Sequence, residues 1–326
     1  MAQHWLDRQE EERVSAEYLG GEKFCFGQAA MPQLQNESQL HNLHLVLRNA
    51  AFLDRTVVIT AVNCAWANPG GMLDVFLEAF HHGSGTESLL EHLVIVSVDN
   101  ASHKRCMEIH KHCFELETSG LDFSSEKKFM SLDYQNMMWR RIFFLGTVLE
   151  LGYSFVFTDT DVIWLRSPFK HFDSYADIEI AVEKFPKHPK SVNNGYIYVR
   201  SNNRTIEFYK LWYKLRNSFL GKHEQDILNM MLHSTYSMHP EFWKLGLKTR
   251  FLNSTLFSSF CNQASRSLDL NQACTVHANC CSDLKKKIRD LKLVVDDWKT
   301  FQANTGGNEQ GSMKLRAPRE CLHYQV

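Results

Sequence analysis

No run of this chain is apolar for long enough to cross a bilayer. The longest candidates, around Thr56 to Ala67 and Ile142 to Leu151, are short or interrupted, whereas a span needs about 20 residues. An excess of either charge is also lacking. Lysine plus arginine number 36 against 37 acids in 326 residues, a net charge of -1, so the chain has no field of the kind that nucleic-acid proteins display. Nucleic acid is not an expected partner. The first residues carry Asp7, Glu10, Glu11 and Glu12 in place of the basic-then-apolar order of a signal peptide. No membrane anchor is visible, and no internal repeat. What remains is 44% hydrophobic and 22% charged, the composition of a globular protein with a large core.

Cysteine, by contrast, is plentiful. Of nine cysteines (25, 64, 106, 113, 261, 274, 280, 281 and 321), four fall between Cys261 and Cys281. That usage points to an oxidising compartment, with zinc as the alternative reading of the cluster beside His277, although the spacing fits zinc poorly. Four Asn-x-Ser/Thr sequons, at Asn36, Asn100, Asn203 and Asn253, are compatible with a secretory lumen and also arise by chance.

Residues 1 to about 40 are polar and unpatterned. The β-branched run TVVITAV at Thr56 to Val62 reads as a buried parallel strand, and Leu93 to Val98 as a second, with a helix between them after Pro69-Gly-Gly. A helix near His103 to Cys113 is expected next. Met138, Ile142, Leu145 and Leu149 then recur at helical spacing before the strand at Ser154. Ile178 to Val182 and Gly195 to Val199 read as further strands, Ile206 to Leu215 and Asp226 to Leu232 as helices, and Gln302 to Met313 as a loop or tail. Such alternation predicts an α/β fold: a mostly parallel sheet, doubly wound, with helices on both faces. The expected division is a polar segment or stem over 1–45, one domain over 46–300 and a tail over 301–326.

The most informative stretch is Ser154-Phe-Val-Phe-Thr-Asp159-Thr-Asp161-Val-Ile-Trp-Leu165, an apolar run entering an acidic pair with a second apolar run leaving it. Two carboxylates at the carboxyl end of a buried strand stand where open α/β sheets hold ligands, and hard oxygens suit Mn²⁺ or Mg²⁺ carrying a diphosphate. Zinc fits less well, because neither Cys nor His lies beside the pair. Two aspartates capping a turn is the competing reading. Arg140 and Arg141 begin a helix on the strand's approach, where one guanidinium fork can hold a diphosphate. Adjacent helical residues diverge by about 100°, so the other is expected at the surface. Thr60 and Asn63 end the first strand and Asp99 ends the second. Asn193, Asn194 and Gly195 are read as opening a strand, with amides for sugar hydroxyls and a glycine for close approach, or as a plain turn. His223-Glu224-Gln225-Asp226 marks a helix start, where Asp226 can simply cap.

Several blocks in order, MMWRRIFFLG, FTDTDVIWLRSPF, NNGYIYVRSNNRTIEFYKLWY, HEQDILN, VHANCC and DLKLVVDDW, resemble the plant nucleotide-diphospho-sugar transferases of glycosyltransferase family 77 from about Thr56 to Trp298. The resemblance implies a GT-A type, Rossmann-like sheet and a Golgi-lumenal enzyme. Such an enzyme moves a pentose or hexose from a UDP-sugar to a glycan or glycoprotein with retention. It implies Asp159, Asp161 and His277 as metal ligands, and Thr60, Asn63, Asp99, Arg140, Arg141, Asp159, Asn193 and Gly195 around the nucleotide-sugar. Asp226, Gln225 and Asn194 are implied beneath the anomeric carbon. The family's usual anchor helix has no counterpart here, so the first 40 residues read as a stem or as a sequence that has lost targeting. Two rivals stand beside this reading. A haloacid-dehalogenase-type phosphatase would use Asp159 as nucleophile with Val294-Val295-Asp296-Asp297 as a second acidic strand. An inactive sugar-nucleotide-binding protein would bind donor without turnover.

Overall fold

The computed structural model describes residues 37–117, 123–125, 130–183, 191–233, 242, 244–261, 268–305 and 315–321. Asn36, Cys25, most of the polar first 40 residues and the Gly/Asn/Gln-rich stretch 306–313 lie outside them. Seven strands form one sheet in the order β3-β2-β1-β4-β7-β6-β8: β1 Thr56–Val62, β2 Leu93–Ser97, β3 Cys113–Glu115, β4 Ser154–Thr158, β6 Ile178–Glu183, β7 Ser191–Val199 and β8 Thr249–Phe251. All neighbours run parallel except β7, which is antiparallel to both β4 and β6. A second sheet of β5 Val162–Trp164, β10 Thr275–His277 and β9 Phe257–Ser259 stands at the carboxyl end of β4. This is the expected mostly parallel, helix-flanked α/β sheet.

Strand side chains alternate between the two faces, and both faces are covered. Val57, Ile59, Val94, Val96, Phe155 and Phe157 pack with helices α1 Glu37–Ala50, α5 Leu132–Glu150, α6 Asn203–Leu215 and α7 Glu224–His233. Their neighbours Val58, Leu93, Ile95 and Val156 face the other way, toward Phe76 and Phe80 of α3 Met72–His82 and Cys106 of α4 Asn100–Ile109. Burial on both sides explains why these strands read as unbroken apolar runs. A third cluster joins α3 and the small sheet to α8 Leu284–Thr305 through Ile163, Val276, Val294 and Trp298.

Four local readings change. The helix expected to reach Cys113 ends at Ile109, and Cys113 opens the edge strand β3, bonded to Cys106 across the turn. Asn193 to Gly195 do not open a strand: β7 begins at Ser191, and its register against β6 jumps from Ala181↔Asn193 to Ile180↔Ile197. The resulting bulge aims Asn194 and Gly195 at the end of β4, as bulges beside ligand sites commonly do. The helix α1 had no sequence signal, yet it buries Leu43 and Leu47. Finally, α8 continues through Thr305, so the segment expected as a loop from Gln302 is helical at its start.

Candidate active site

Asp159-Thr160-Asp161 is the turn that carries the chain from β4 in the large sheet to β5 in the small one. Backbone bonds fix it on both sides. Asp159 N–H donates to Gly195 O at 2.7 Å, Val162 N–H to Asp159 O at 3.1 Å and Ala278 N–H to Asp161 O at 3.0 Å. His277 closes β10 opposite Val162. Its Nε2 lies 3.3 Å from Asp161 Oδ1 and 4.0 Å from Asp159 Oδ2, and one ligand atom from each of the three residues falls within 4.8 Å of the others. Two carboxylates and one imidazole make a donor set suited to Mn²⁺ or Mg²⁺. Asp161 and His277 are buried while the Asp159 side chain is 34% exposed, so the set opens on that side.

Gly195 leaves the room this group needs. A Cβ there would lie 2.4 Å from Asp159 Oδ2 and 2.6 Å from His277 Cε1, inside any tolerable contact.

Charge is balanced by two cations. Arg141, on the inner face of α5, donates from Nη1 to Asp159 Oδ1 and from Nη2 to Glu224 Oε1, both at 2.9 Å. Lys287 of α8 donates to Asp161 Oδ2 at 2.5 Å. Glu224 is fully buried and also accepts from Asn194 Nδ2 at 3.1 Å, while the Asn194 N–H donates to Gln225 Oε1 at 3.2 Å. His223 Nδ1 accepts the Gln225 N–H at 3.2 Å, so Nε2 bears a proton and faces Glu224 Oε2 at 3.1 Å. On the opposite side, buried Glu183 accepts from Asn193 Nδ2 and from Asn279 Nδ2, and Asn193 Oδ1 in turn accepts the Gly195 N–H at 2.8 Å.

These environments move proton affinities in opposite directions. Burial opposes ionisation of Asp161, but Lys287 and His277 outweigh it and hold the carboxyl well below the usual range. Burial alone would lower the His277 pKa, and the Asp161 carboxylate reverses this and raises it. Glu183 is pushed up by burial, against His277 and its two amide donors.

The structure brings Asp159, Asp161, His277, Arg141, Asn193, Asn194, Gly195 and Gln225 together. Other expected residues are engaged elsewhere. Arg140 points away, with Nη2 on Glu117 O at 2.5 Å and its guanidinium over the Phe143 ring, the divergence that helical geometry requires. Asn63 caps the short helix α2 Cys64–Ala67, and its Nδ2 holds Phe123 O and Ser125 O at 2.9 and 3.1 Å. Asp99 caps α4 through Ser102 N–H and also accepts the Cys64 N–H at 2.7 Å. Thr60 is buried 3.4 Å from Thr160 Oγ1. Asp226 Oδ2 accepts the His223 N–H at 3.2 Å, a capping contact. Glu224, Lys287, Glu183 and Asn279 were not singled out from sequence. Glu224 stood beside the chosen Gln225 and Asp226, whereas Lys287 lies in a run of three lysines that reads as a solvated face.

Two alternatives fall here. Val294 to Asp297 lie within α8, where Asp297 is buried and accepts from Arg316, so the segment expected as a phosphatase's second acidic strand is helical. The cysteine cluster is not a zinc site: Cys261 pairs with Cys280 and Cys281 with Cys321, and His277 turns to the aspartates.

The chain is similar to known proteins in sequence. A sequence profile described as nucleotide-diphospho-sugar transferase matches residues 88–291. An uncharacterised protein of Arabidopsis thaliana is 39% identical over 292 residues, covering 88% of this chain and 75% of its own length. A UDP-galactose:fucoside alpha-3-galactosyltransferase of Dictyostelium discoideum is 35% identical over 203 residues, covering 54% of this chain and 31% of that enzyme. Mouse xyloside xylosyltransferase 1, in its apo crystal form, aligns over 70% of this chain and 99% of its own with a TM-score of 0.42 at 14% identity, a distant likeness. The profile covers most of the chain, and the chain therefore belongs to the nucleotide-diphospho-sugar transferase family and is a glycosyltransferase.

Proposed function

We propose that this glycosyltransferase moves a pentose or hexose from a UDP-sugar to a glycan or glycoprotein acceptor, with a divalent cation and with retention at the sugar. The observation that carries the reading is the convergence of Asp159, Asp161 and His277, from two strand ends and the turn between sheets, to within 4.8 Å. These three would hold Mn²⁺ or Mg²⁺, which when bound neutralises charge developing on the leaving diphosphate. Arg141 fixes the outer oxygen of Asp159 from a buried position. The nucleoside is assigned to the carboxyl ends of β1 and β2, in the wall that Thr60, Asn63 and Asp99 hold in shape. The sugar is assigned to the β7 bulge and the start of α7, where Asn194, Gln225 and Asp226 stand beside buried Glu224. Arg141 ties that segment to the acidic pair, so sugar and diphosphate positions are set by one side chain.

Retention is supported by the Dictyostelium relative, whose name gives a UDP-sugar donor and an α product. Sugars of such donors are α-linked to the diphosphate, so an α product keeps their configuration. Work in the Golgi lumen is supported by three disulfides and by the exposure of Asn100, Asn203 and Asn253. No described helix is long and apolar enough to cross a membrane. Screening UDP-sugars for Mn²⁺-dependent hydrolysis and transfer, with the product anomer followed by NMR, tests the reading. Turnover that survives chelation, or an inverted product, overturns the metal or the stereochemical part of it.

A further inference from the structure

Lys287 stands where the proposed cation must be accommodated. Its Nζ is 2.5 Å from Asp161 Oδ2, with Asp161 only 3% and Lys287 14% exposed, and the other oxygen of Asp161 faces His277 Nε2. Both oxygens of the buried ligand are thus occupied by protein groups. Arg141 occupies one oxygen of Asp159 in the same way, but it is locked by a second buried partner, Glu224. Among the described residues Lys287 has no such second ion pair. The Trp66 ring lies beside it, its centroid 5.5 Å from Nζ. A lysine is a compact charge on a flexible stem that can turn to a new anion.

A divalent ion seated on Asp161 would meet this ammonium at short range, and like charges in a buried site repel strongly. A nucleoside diphosphate brings the anion that Lys287 then needs. We propose that Lys287 is the resident counter-cation of the metal seat: it disfavours metal alone and makes cation and nucleoside diphosphate bind with positive coupling. The proposal rests on the metal-dependent reading above. By linkage the coupling is reciprocal, each ligand strengthening the other by the same factor, commonly about 5- to 150-fold.

Calorimetric titration of the full chain with Mn²⁺ alone, and with Mn²⁺ in the presence of UDP, tests this. For the wild type, UDP should tighten Mn²⁺ binding at least about fivefold. In Lys287→Met, Mn²⁺ alone should bind about five- to tenfold more tightly and the gain from UDP should shrink by a similar factor, leaving the part that the cation's own attraction for the diphosphate supplies, whereas Lys287→Arg, keeping the charge, should retain full coupling. Thermal melts confirm folding, and Lys287→Gln replaces the Met variant if that one fails to fold. Unchanged Mn²⁺ affinity with full coupling in the neutral variant overturns the role of Lys287 and leaves the metal site standing. Absence of Mn²⁺ binding by the wild type, with or without UDP, overturns both.

Discussion

A methyl group decides the site at Gly195. Because an added Cβ would sit 2.4 Å from Asp159 Oδ2 and 2.6 Å from His277 Cε1, Gly195→Ala must push the two ligands apart. We expect it to abolish Mn²⁺ binding while the chain still melts cooperatively; normal Mn²⁺ affinity would show that the ligands reorganise freely. Asp161→Ala should cost about 3–5 kcal/mol of transition-state stabilisation, a fall in rate of roughly 10²- to 10⁴-fold, with Asp159→Ala nearly as severe. A folded variant that keeps most of its UDP-sugar turnover would remove these residues from the metal site. Arg141 belongs to stability as well as chemistry. Arg141→Met leaves Glu224 buried with Asn194 and His223 beside it but without its guanidinium partner, which costs about 3–5 kcal/mol by urea denaturation, and adding Glu224→Gln should restore part of the loss. The acidic pair and Gly195 were legible in sequence because an apolar frame on each side of Asp159 and Asp161 signals a strand end, and a glycine signals close approach. Glu224 was not, because which residue of His223 to Asp226 turns inward depends on where the helix begins. Lys287 was hidden by Lys285 and Lys286, since a triple lysine carries no sign of which member faces in.

At the scale of elements, β1, β2 and β4 were readable because strands buried on both faces use β-branched and aromatic residues on both. The start of α7 was readable as a helix start and, beside that, as a candidate sugar site at Gln225 and Asp226. Asp226 occupies its third position and reaches back to the His223 N–H, half of a capping box. Asp226→Asn therefore separates two roles: as a member of the sugar-facing set it should lower kcat more than UDP-sugar affinity, whereas a change in melting temperature alone would assign it to the cap. The far end of the chain was opaque because its order comes from buried acids. Asp290 accepts the N–H groups of Arg319, Glu320 and Cys321, and Asp297 that of Arg316, so residues 315–321 run back along α8. The Cys281–Cys321 bond closes this strap, with a sequence separation of 40, four residues beyond His277. Replacing both cysteines with Ser should lower stability by about 2–4 kcal/mol and weaken Mn²⁺ binding by loosening the segment that presents His277. Unaltered metal affinity in the destabilised variant would confine the strap to a stabilising role.

Taken as a whole molecule, the chain joins a sheet with no spanning helix among its described residues to a set of covalent and surface features that fit the lumenal setting proposed above. The three bridges lie at different places. Cys106–Cys113 ties α4 to the edge strand β3, while Cys261–Cys280 and Cys281–Cys321 flank the loop that follows His277. A reducing compartment would keep these thiols apart and forfeit their constraint on the unfolded chain. Asn100 and Asn203 open helices and Asn253 sits in the turn before β9, all three exposed, so a glycan on any of them projects into solvent without disturbing the core. Both observations predict the same history for the protein in the cell. Tagged at its C-terminus and expressed from its full gene, it should show a mass that falls on endoglycosidase treatment, and it should migrate faster on gels without reductant than with it. Replacing Asn100, Asn203 and Asn253 with Gln should remove the endoglycosidase shift, apart from any contribution of Asn36, and leave the reductant shift in place. A cytosolic chain with neither shift would defeat the lumenal assignment. The site around Asp159, Asp161 and His277 would then have to hold its geometry without the bonds that flank it, and metal affinity measured under full reduction would show whether it does.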